Sequence, residues 1–285
     1  MKKIKYGLVL FVGLIMLMSV SANNCNKYVI DGDLSDWGPD LTQDWSVNGT
    51  WLPNPGVYFV VEDNRDPRYG VPPMGVHIKG VGSYYTTYEE PKVQKRDGSW
   101  IIEPYGSDYY DIEAIYLDQD DDCIYVAVVT GENPDATGDA RPGDLALNLD
   151  GDPNTGEYGY EYGIKLGTQT GLEQFGIYSN PDWQEPYYIP MNRPGVLLSG
   201  NKVGKATGKY VDSGIYDNGY TNYIIELAIP KSAVGNPGHV SIYNLHLSEG
   251  CGNEHIPAAE FPIVLSMVLL LTSPAFAYLL YKKRH

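Results

Sequence analysis

Residues 111–130, with the sequence DIEAIYLDQDDDCIYVAVVT, contain two apolar stretches separated by an acidic turn. The stretches at 112–117 and 124–129 are rich in β-branched and aromatic residues, which favour strands. In the first stretch and again at 223–229, paired apolar residues interrupt the alternation expected of a half-buried strand. The segment therefore predicts a hairpin, and the paired apolar residues predict that the strands at 112–117 and 223–229 are covered on much of both faces.

The rest of the chain has a similar pattern. Further strands are predicted at 57–61, 145–149, 160–166, 223–229 and 240–245, with turn signals at intervals of roughly ten residues. The chain has 25 Tyr, 32 Gly and 20 Pro, and no Ser- or Pro-rich linker or long repeat divides it. We therefore predict an all-β fold, in which residues 23–256 form one antiparallel β-sandwich of the jelly-roll or immunoglobulin-like kind.

Both termini predict export. Lysines at 2, 3 and 5, the apolar stretch 8–18 and small residues up to Ala22 are typical of a signal peptide at 1–22, with an uncleaved anchor as the alternative. The apolar run 261–281 has 21 residues, enough to span a bilayer core of about 30 Å, and a basic cluster at 282–284 follows it. We expect residues 257–285 to contain one transmembrane helix with a cytoplasmic tail, and the domain to be membrane-anchored at the cell surface.

The charge of the chain limits its partners. The formal net charge is −16, and six of the 20 basic residues lie in the two termini, so the part between them is more acidic still. Such a surface repels nucleic acid phosphates and anionic lipids, which excludes nucleic acid as a sensible partner. It attracts divalent cations, although a solvated acidic surface is the commoner explanation.

Three segments resemble a known group of proteins. Residues 28–37, YVIDGDLSDW, are similar to the opening motif I-D-G-x-x-x-D-W of the family 9 carbohydrate-binding-module-like and DOMON-like sandwiches. Residues 111–131 resemble the central hairpin of that group, and residues 226–232, ELAIPKS, resemble its E-x-x-I-P strand end. The resemblance covers most of residues 28–253 and implies the same sandwich fold.

The C-terminal segment resembles a second family, the archaeal PEF-type sorting signals. Glu260, Phe261 and Pro262 precede the apolar run and the basic cluster, as they do in that signal. Ala259 stands where the signal has a proline. The resemblance implies that the helix is a temporary anchor, removed when the protein is attached to lipid, with a permanent anchor as the alternative.

The acidic turn within residues 141–166 is a candidate calcium site. Asp150, Asp152 and Asn154 alternate, and Glu161 follows eleven residues after Asp150, offsets similar to those of an EF-hand loop. The glycine of an EF-hand is displaced to Gly156, and predicted strands replace the flanking helices. In the resembling sandwiches this turn carries structural calcium, which implies these four residues as ligands. An ordinary turn capped by its own Asx side chains is the alternative.

The chain has three cysteines, Cys25, Cys123 and Cys251, which allow at most one intramolecular bridge. Cys251 stands in a segment similar to the C-G-N-D that closes archaeal members of the sandwich group. Because the termini of sandwiches often lie close together, we expect a bridge from Cys25 to Cys251, with free cysteines as the alternative. Asn48 begins the sequon Asn48-Gly49-Thr50 and is a candidate glycosylation site.

Aromatic side chains are the candidate ligand platforms, since a flat ring stacks on a sugar face. The candidates are Trp37, Trp45, Trp51, Trp100, Trp183 and the pairs Tyr84 and Tyr85, Tyr109 and Tyr110, and Tyr187 and Tyr188. Trp37 is expected in the core, whereas Trp183 lies in a polar segment and is the predicted glycan-binding residue. Haem ligation, as in some DOMON sandwiches, would need pairs such as Met74 with His77 or His246.

The sequence contains none of the motifs G-x-S-x-G, H-E-x-x-H or the P-loop, and 36 acidic residues form many carboxylate pairs by chance. We therefore predict a non-enzymatic, calcium-stabilised cell-surface protein that acts in extracellular binding or in surface assembly by self-association. A glycan-binding module, an extracellular hydrolase and a haem-binding redox protein are the alternatives.

Overall fold

The computed structural model describes residues 25–43, 49–65, 74–88, 92–102, 108–138, 141–217, 220–252 and 255–256. In chain order the strands are β1 (Tyr58–Arg65), β2 (Met74–Val81), β3 (Tyr84–Thr87), β4 (Lys92–Gln94), β5 (Trp100–Ile102), β6 (Ala114–Gln119), β7 (Cys123–Thr130), β8 (Leu145–Leu147), β9 (Tyr162–Ile164), β10 (Gly176–Gln184), β11 (Val196–Lys205), β12 (Thr207–Asp217), β13 (Tyr220–Pro230), β14 (Leu245–Ser248) and β15 (His255–Ile256). Short 3-10 turns cover Leu34–Asp36, Asp108–Tyr110, Gln169–Gly171, Pro190–Asn192, Lys231–Val234 and Ile242–Asn244.

These strands form two large sheets and one small hairpin. The first sheet has seven strands in the order β12-β13-β7-β6-β1-β2-β3, and the second has six in the order β11-β10-β9-β8-β14-β15. Strands β4 and β5 pair only with each other in the described part of the chain. The paired strands run antiparallel, which confirms the predicted all-β fold class.

The inner faces of the two sheets share one hydrophobic core. The seven-stranded sheet contributes Val60, Ile115, Leu117, Ile124, Val126, Val128, Ile225, Leu227 and Ile229, and the six-stranded sheet contributes Leu145, Leu147, Ile164, Ile177, Leu245, Leu247 and Ile256. Each fully buried aliphatic side chain of this size stabilises the fold by about 2 kcal/mol relative to exposure. This shared core holds the two sheets face to face.

A second core lies on the outer face of the seven-stranded sheet. The segment before β1 covers this face with Leu34, Trp37 and Trp51, which pack against residues such as Tyr116 and Tyr125 of the sheet. Every residue of β7 is buried as a result. Residues 112–117 and 224–229 are buried too, which confirms the prediction that the strands at 112–117 and 223–229 are covered on much of both faces. The N-terminal segment is the cover on the outer face.

One predicted strand is largely wrong. The apolar segment 240–245 was expected to be extended, but a 3-10 turn covers Ile242–Asn244 and β14 begins only at Leu245. The Ser241 side chain accepts a hydrogen bond from the backbone N–H of Tyr243, and the Asn244 side chain caps the backbone N–H of Ser241. This reciprocal capping box favours a helical turn over a strand at these residues.

The predicted bridge between Cys25 and Cys251 is wrong, because the structure joins Cys25 to Cys123 with their Cα atoms 5.6 Å apart. Cys123 begins β7, directly beneath the N-terminal segment that carries Cys25. Cys251 follows β14 in the other sheet, where it is buried and its thiol lies 3.2 Å from Oε2 of Glu249. The N-terminal segment runs over the outer face of the seven-stranded sheet, which places Cys25 beside β7.

Within the described residues, no helix is long and apolar enough to cross a bilayer. The predicted signal peptide at 1–22 and the predicted transmembrane segment at 257–285 lie outside the described residues. So do Asn48 and the three residues of the sorting motif, Glu260, Phe261 and Pro262.

Candidate functional site

The acidic turn connects β8 to β9, and its side chains cap its own backbone. The Asp150 carboxylate accepts hydrogen bonds from the backbone N–H of Asp152, at 2.7 Å, and from the Thr155 hydroxyl, at 2.7 Å. The Asp152 carboxylate accepts from the backbone N–H and the side-chain amide of Asn154. Successive Asx turns of this kind account for the conformation of the loop without any bound ion.

Two of the four predicted calcium ligands meet. Glu161 accepts hydrogen bonds from the backbone N–H groups of Leu149, at 3.0 Å, and Asp150, at 3.2 Å. A hydrogen bond with Glu161 lowers the pKa of the Asp150 carboxyl, whereas burial first and this bond second raise the pKa of the Glu161 carboxyl. The two carboxyl groups therefore interact directly, and a cation bound between them would stabilise the charge on both.

The donor set of this turn suits calcium only in part. Asp150 and Glu161 offer adjacent carboxylate oxygens, which calcium prefers, while Asp152 and Asn154 are bonded to each other. No group of three His, Cys, Asp or Glu side chains in the described ranges is arranged to hold a metal ion. The two carboxyl groups lie at hydrogen-bond distance, closer than the separation of about 5 Å or more at which paired glycosidase carboxylates act.

Beside this turn lies a cleft of about 280 Å³, and half of its lining residues are Tyr or His. It is lined by Tyr158, Tyr160, Tyr243, Arg193, His246 and His255, among others. Tyr158 has a φ of 56°, in the left-handed region that side chains larger than glycine seldom adopt. Strained backbone of this kind is concentrated at functional sites, so the conformation of Tyr158 indicates that this wall of the cleft is part of one.

Arg193 gives the cleft its cationic wall. Its guanidinium lies 4.8 Å from the centroid of the Tyr158 ring, within the range of a cation–π interaction. Its Nη1 is also 3.1 Å from a carboxylate oxygen of Glu185, so the two contacts orient the guanidinium plane. A flat cation held against a flat ring forms a surface that can donate hydrogen bonds to ligand oxygens.

The cleft floor is formed by His246 of β14. Its Nε2 lies 3.2 Å from the carbonyl oxygen of Asn192 and 3.1 Å from that of Pro194. Because both neighbours are acceptors, Nε2 carries the proton and Nδ1 carries the lone pair. Burial, and then the neighbouring His255, lower the pKa of His246 to about 3, so the ring is uncharged at neutral pH.

An exposed apolar surface adjoins the cleft. We call it the aromatic platform; it consists of Trp100 (61% exposed), Tyr187 (49%), Tyr188 (47%) and Met191 (56%). Arg96 ties the β4–β5 hairpin to this segment, because its backbone N–H donates to the Tyr188 carbonyl and its Nε donates to the Tyr187 carbonyl, both at 2.8 Å. Met191 also lines the cleft, so the platform and the cleft are continuous.

Trp183 is not available as a sugar platform, and this prediction is wrong. The residue lies in β10 and is only 4% exposed, with its ring packed against Leu197, Tyr178 and Ala146. The small residue Gly163 on the neighbouring strand makes room for the indole. The polar residues around Trp183 reflect the exposed face of a strand, not a loop. Trp37 and Trp51 are buried as well, so Trp100 is the exposed tryptophan among the described residues.

Acidic residues in the turn between β6 and β7 make structural contacts. In the turn between β6 and β7, Asp120 accepts hydrogen bonds from the backbone N–H groups of Asp122 and Cys123, and Asp118 lies 2.6 Å from the Lys27 ammonium. The histidines proposed for haem lie in different sheets, His77 in β2 and His246 in β14. The Met74 side chain lies outside the described residues.

A buried ion pair between Lys165 and Asp144 was not predicted from the sequence. The ammonium of Lys165 lies 2.8 Å from the Asp144 carboxylate, and both side chains are completely buried. Asp144 also accepts hydrogen bonds from the backbone N–H groups of Leu166 and Leu197. Burial raises the pKa of Asp144, and burial also raises the pKa of the neighbouring Glu132 well above its usual value. The signal was a lysine inside the apolar stretch 160–166.

Comparison of the chain with known protein families, with curated proteins and with solved structures found no match.

Proposed function

We propose that this chain is an exported, surface-displayed binding protein that holds a saccharide on the aromatic platform and in the adjoining cleft. The observation that carries the proposal is the continuity of exposed rings with a walled cleft through Met191. Aromatic faces stack on sugar rings, and the cleft adds tyrosine hydroxyls and the Arg193 guanidinium as hydrogen-bonding groups. No chemical step is needed for this function.

Three features support export. The bond between Cys25 and Cys123 is of a kind that forms and persists in oxidising compartments. The chain is strongly acidic, as suits a protein exposed to salt, and its two ends have the patterns of a signal peptide and of an anchor or PEF-type sorting signal. We also propose that the fold is a jelly-roll or immunoglobulin-like sandwich, related to carbohydrate-binding and DOMON-like modules.

Calcium is the proposed stabiliser of the cleft wall. Asp150 and Glu161, whose carboxyl groups interact directly, would hold it. The chemistry it would supply is neutralisation of two adjacent carboxylates. Residues between Asp150 and Glu161, including Pro153, also line the cleft, so an ion that orders the turn would also order this part of the cleft wall.

The test is isothermal titration of the purified full-length protein against a panel of neutral and acidic oligosaccharides. Trp100→Ala is expected to weaken binding roughly tenfold, because one well-placed aromatic ring contributes about 1–2 kcal/mol. Tyr84→Ala is the matched control, since Tyr84 is 87% exposed and lies in the other sheet. The proposal fails if no oligosaccharide binds, or if the two variants lose affinity equally.

Surface assembly by self-association is the second candidate function, and an exposed sheet edge favours it. Strand β3 ends the seven-stranded sheet, and all four of its residues are exposed. An exposed sheet edge can pair with a strand of a second copy. Sedimentation velocity with and without calcium tests this; Tyr84→Lys, which adds a charge to the edge, is expected to shift any oligomer towards monomer.

A further inference from the structure

Two histidines meet on the floor of the cleft because of the register between β14 and β15. Ser248 pairs with His255 across this ladder, so His246, two residues earlier on β14, is the diagonal neighbour of His255 on the same face. The centroids of the two imidazole rings are 5.7 Å apart. The hairpin thus brings together two nitrogen ligands that are nine residues apart in the sequence.

The orientation of His246 is that of a metal ligand. Its Nε2–H is held by the carbonyl oxygens of Asn192 and Pro194, at 3.2 and 3.1 Å. A metal-binding histidine commonly donates its second ring N–H to a backbone carbonyl, which fixes the tautomer and the ring plane. The lone pair of His246 is therefore on Nδ1, and the ring cannot rotate without breaking two hydrogen bonds.

The spacing of the rings also suits a shared ion. Imidazole nitrogens that lie about 2.0–2.1 Å from one ion place their ring centroids roughly 5–6 Å apart. Tyr160, whose ring centroid is 5.5 Å from that of His246, and the Met191 thioether line the same cleft. Imidazole, phenol and thioether groups suit copper or zinc, whereas calcium requires oxygen ligands.

We propose that His246 and His255 bind a copper or zinc ion at the floor of the cleft, with its remaining coordination positions open to water or to ligand oxygens. A site with two imidazole ligands leaves several coordination positions of the ion open. The described part of the chain has no cluster of three or more His, Cys, Asp or Glu that could hold a metal ion, so this site has fewer protein ligands than such a cluster. The site shares the cleft with the proposed saccharide-binding function but does not rest on it, since the ion binds without saccharide.

The test is titration of Cu²⁺ and, separately, Zn²⁺ into the purified full-length protein, prepared without a polyhistidine tag. One ion per chain is expected, and His255→Ala should weaken its binding at least roughly tenfold, because one of two protein ligands is lost. His239→Ala is the matched control, since His239 is exposed and bonded to Gln119. Equal affinity in wild type and His255→Ala overturns the proposal, as does the absence of a bound ion in wild type.

A spectroscopic readout keeps the test independent of folding losses. Cu²⁺ bound by imidazole gives nitrogen hyperfine coupling in its electron paramagnetic resonance spectrum, and this coupling is expected in wild type and His239→Ala but reduced in His255→Ala. Saccharide titration in the presence of a chelator separates the two proposals. If saccharide binds in the presence of the chelator but the protein without chelator binds no copper or zinc, only the metal site is overturned. If the metal binds but no saccharide binds, only the saccharide function is overturned.

Discussion

The indole Nε1 of Trp37 donates a hydrogen bond of 2.9 Å to the buried carboxylate of Glu226, across 189 positions of the chain. The same carboxylate accepts from the backbone N–H of Asp31, at 3.0 Å, and of Gly32. Two segments singled out in the sequence, 28–37 and 226–232, thus meet at one side chain. Gly32 is required there, since its φ is 92° and a Cβ would lie 2.3 Å from Val211.

At pH 8, where the carboxylate is ionised, Glu226→Gln is expected to lower the free energy of unfolding by about 2–3 kcal/mol. A glutamine amide can accept from only one side, so at least one of the three N–H donors is left buried without a partner. Urea unfolding measures the change. Glu173→Gln is the control, because Glu173 is exposed and pairs with surface lysines, and ion pairs of this kind contribute little to stability.

The same carboxyl group predicts a pH dependence. Burial raises the pKa of Glu226 from 4.5 to about 7, against the opposing effect of its hydrogen bonds. The folded state therefore binds the proton more tightly than the unfolded state, and this contribution is complete below about pH 4.5 and is lost as the pH rises through about 7. Thermal melts should show the stability gap between wild type and Glu226→Gln narrowing from pH 4.5 to 7.5. A constant gap would contradict the shift.

The disulfide between Cys25 and Cys123 is expected to contribute strongly to the free energy of unfolding. Cys25→Ser opens a loop of 98 residues, which in the chain-entropy model costs about 4–5 kcal/mol. Cys251→Ser is the control, since this buried thiol makes no bridge, and about 1 kcal/mol is expected. Alkylation of the unreduced, denatured protein followed by peptide mass mapping should label Cys251; a label on Cys25 or Cys123 instead would refute the pairing.

Breaking the buried ion pair should be costly. Lys165→Met leaves the Asp144 carboxylate buried without its cation, and about 3–5 kcal/mol of stability is expected to be lost. Lys202→Met removes an exposed lysine that also pairs with a carboxylate, and a much smaller loss is expected because solvent screens this pair. Chemical denaturation of both variants gives the comparison, and similar losses in the two would show that burial does not decide the cost.

Calcium is expected to raise the melting temperature of the wild-type protein. An ion bound only by the folded turn adds about 2.7 kcal/mol when its concentration is 100 times Kd. Glu161→Gln should abolish the calcium-dependent shift, because it removes one of the two adjacent carboxylates. Asp121→Asn, in the exposed turn between β6 and β7, should retain the shift. An undiminished calcium response in Glu161→Gln would exclude this turn as the site.

The hairpin of β6 and β7 was predictable, because β-branched residues and turn chemistry act over a few positions. The burial of the strand at 112–117 on both faces was also predictable from its paired apolar residues. Trp183 was misjudged because its polar neighbours alternate with buried positions along β10, a pattern that resembles a loop when the strand carries Asn180 and Pro181. The acidic turn was located correctly, but the meeting of Asp150 with Glu161 depends on the return of the chain into β9.

The all-β class and the strong acidity follow from the amino-acid sequence alone, because strand propensity and charge are properties of local composition. The exposure of individual rings, the pairing of Cys25 with Cys123 and the approach of His246 to His255 depend on the folded arrangement of the chain. These relationships depend on which segment covers which face of a sheet, and on strand register. Both are set by packing between residues far apart in the chain.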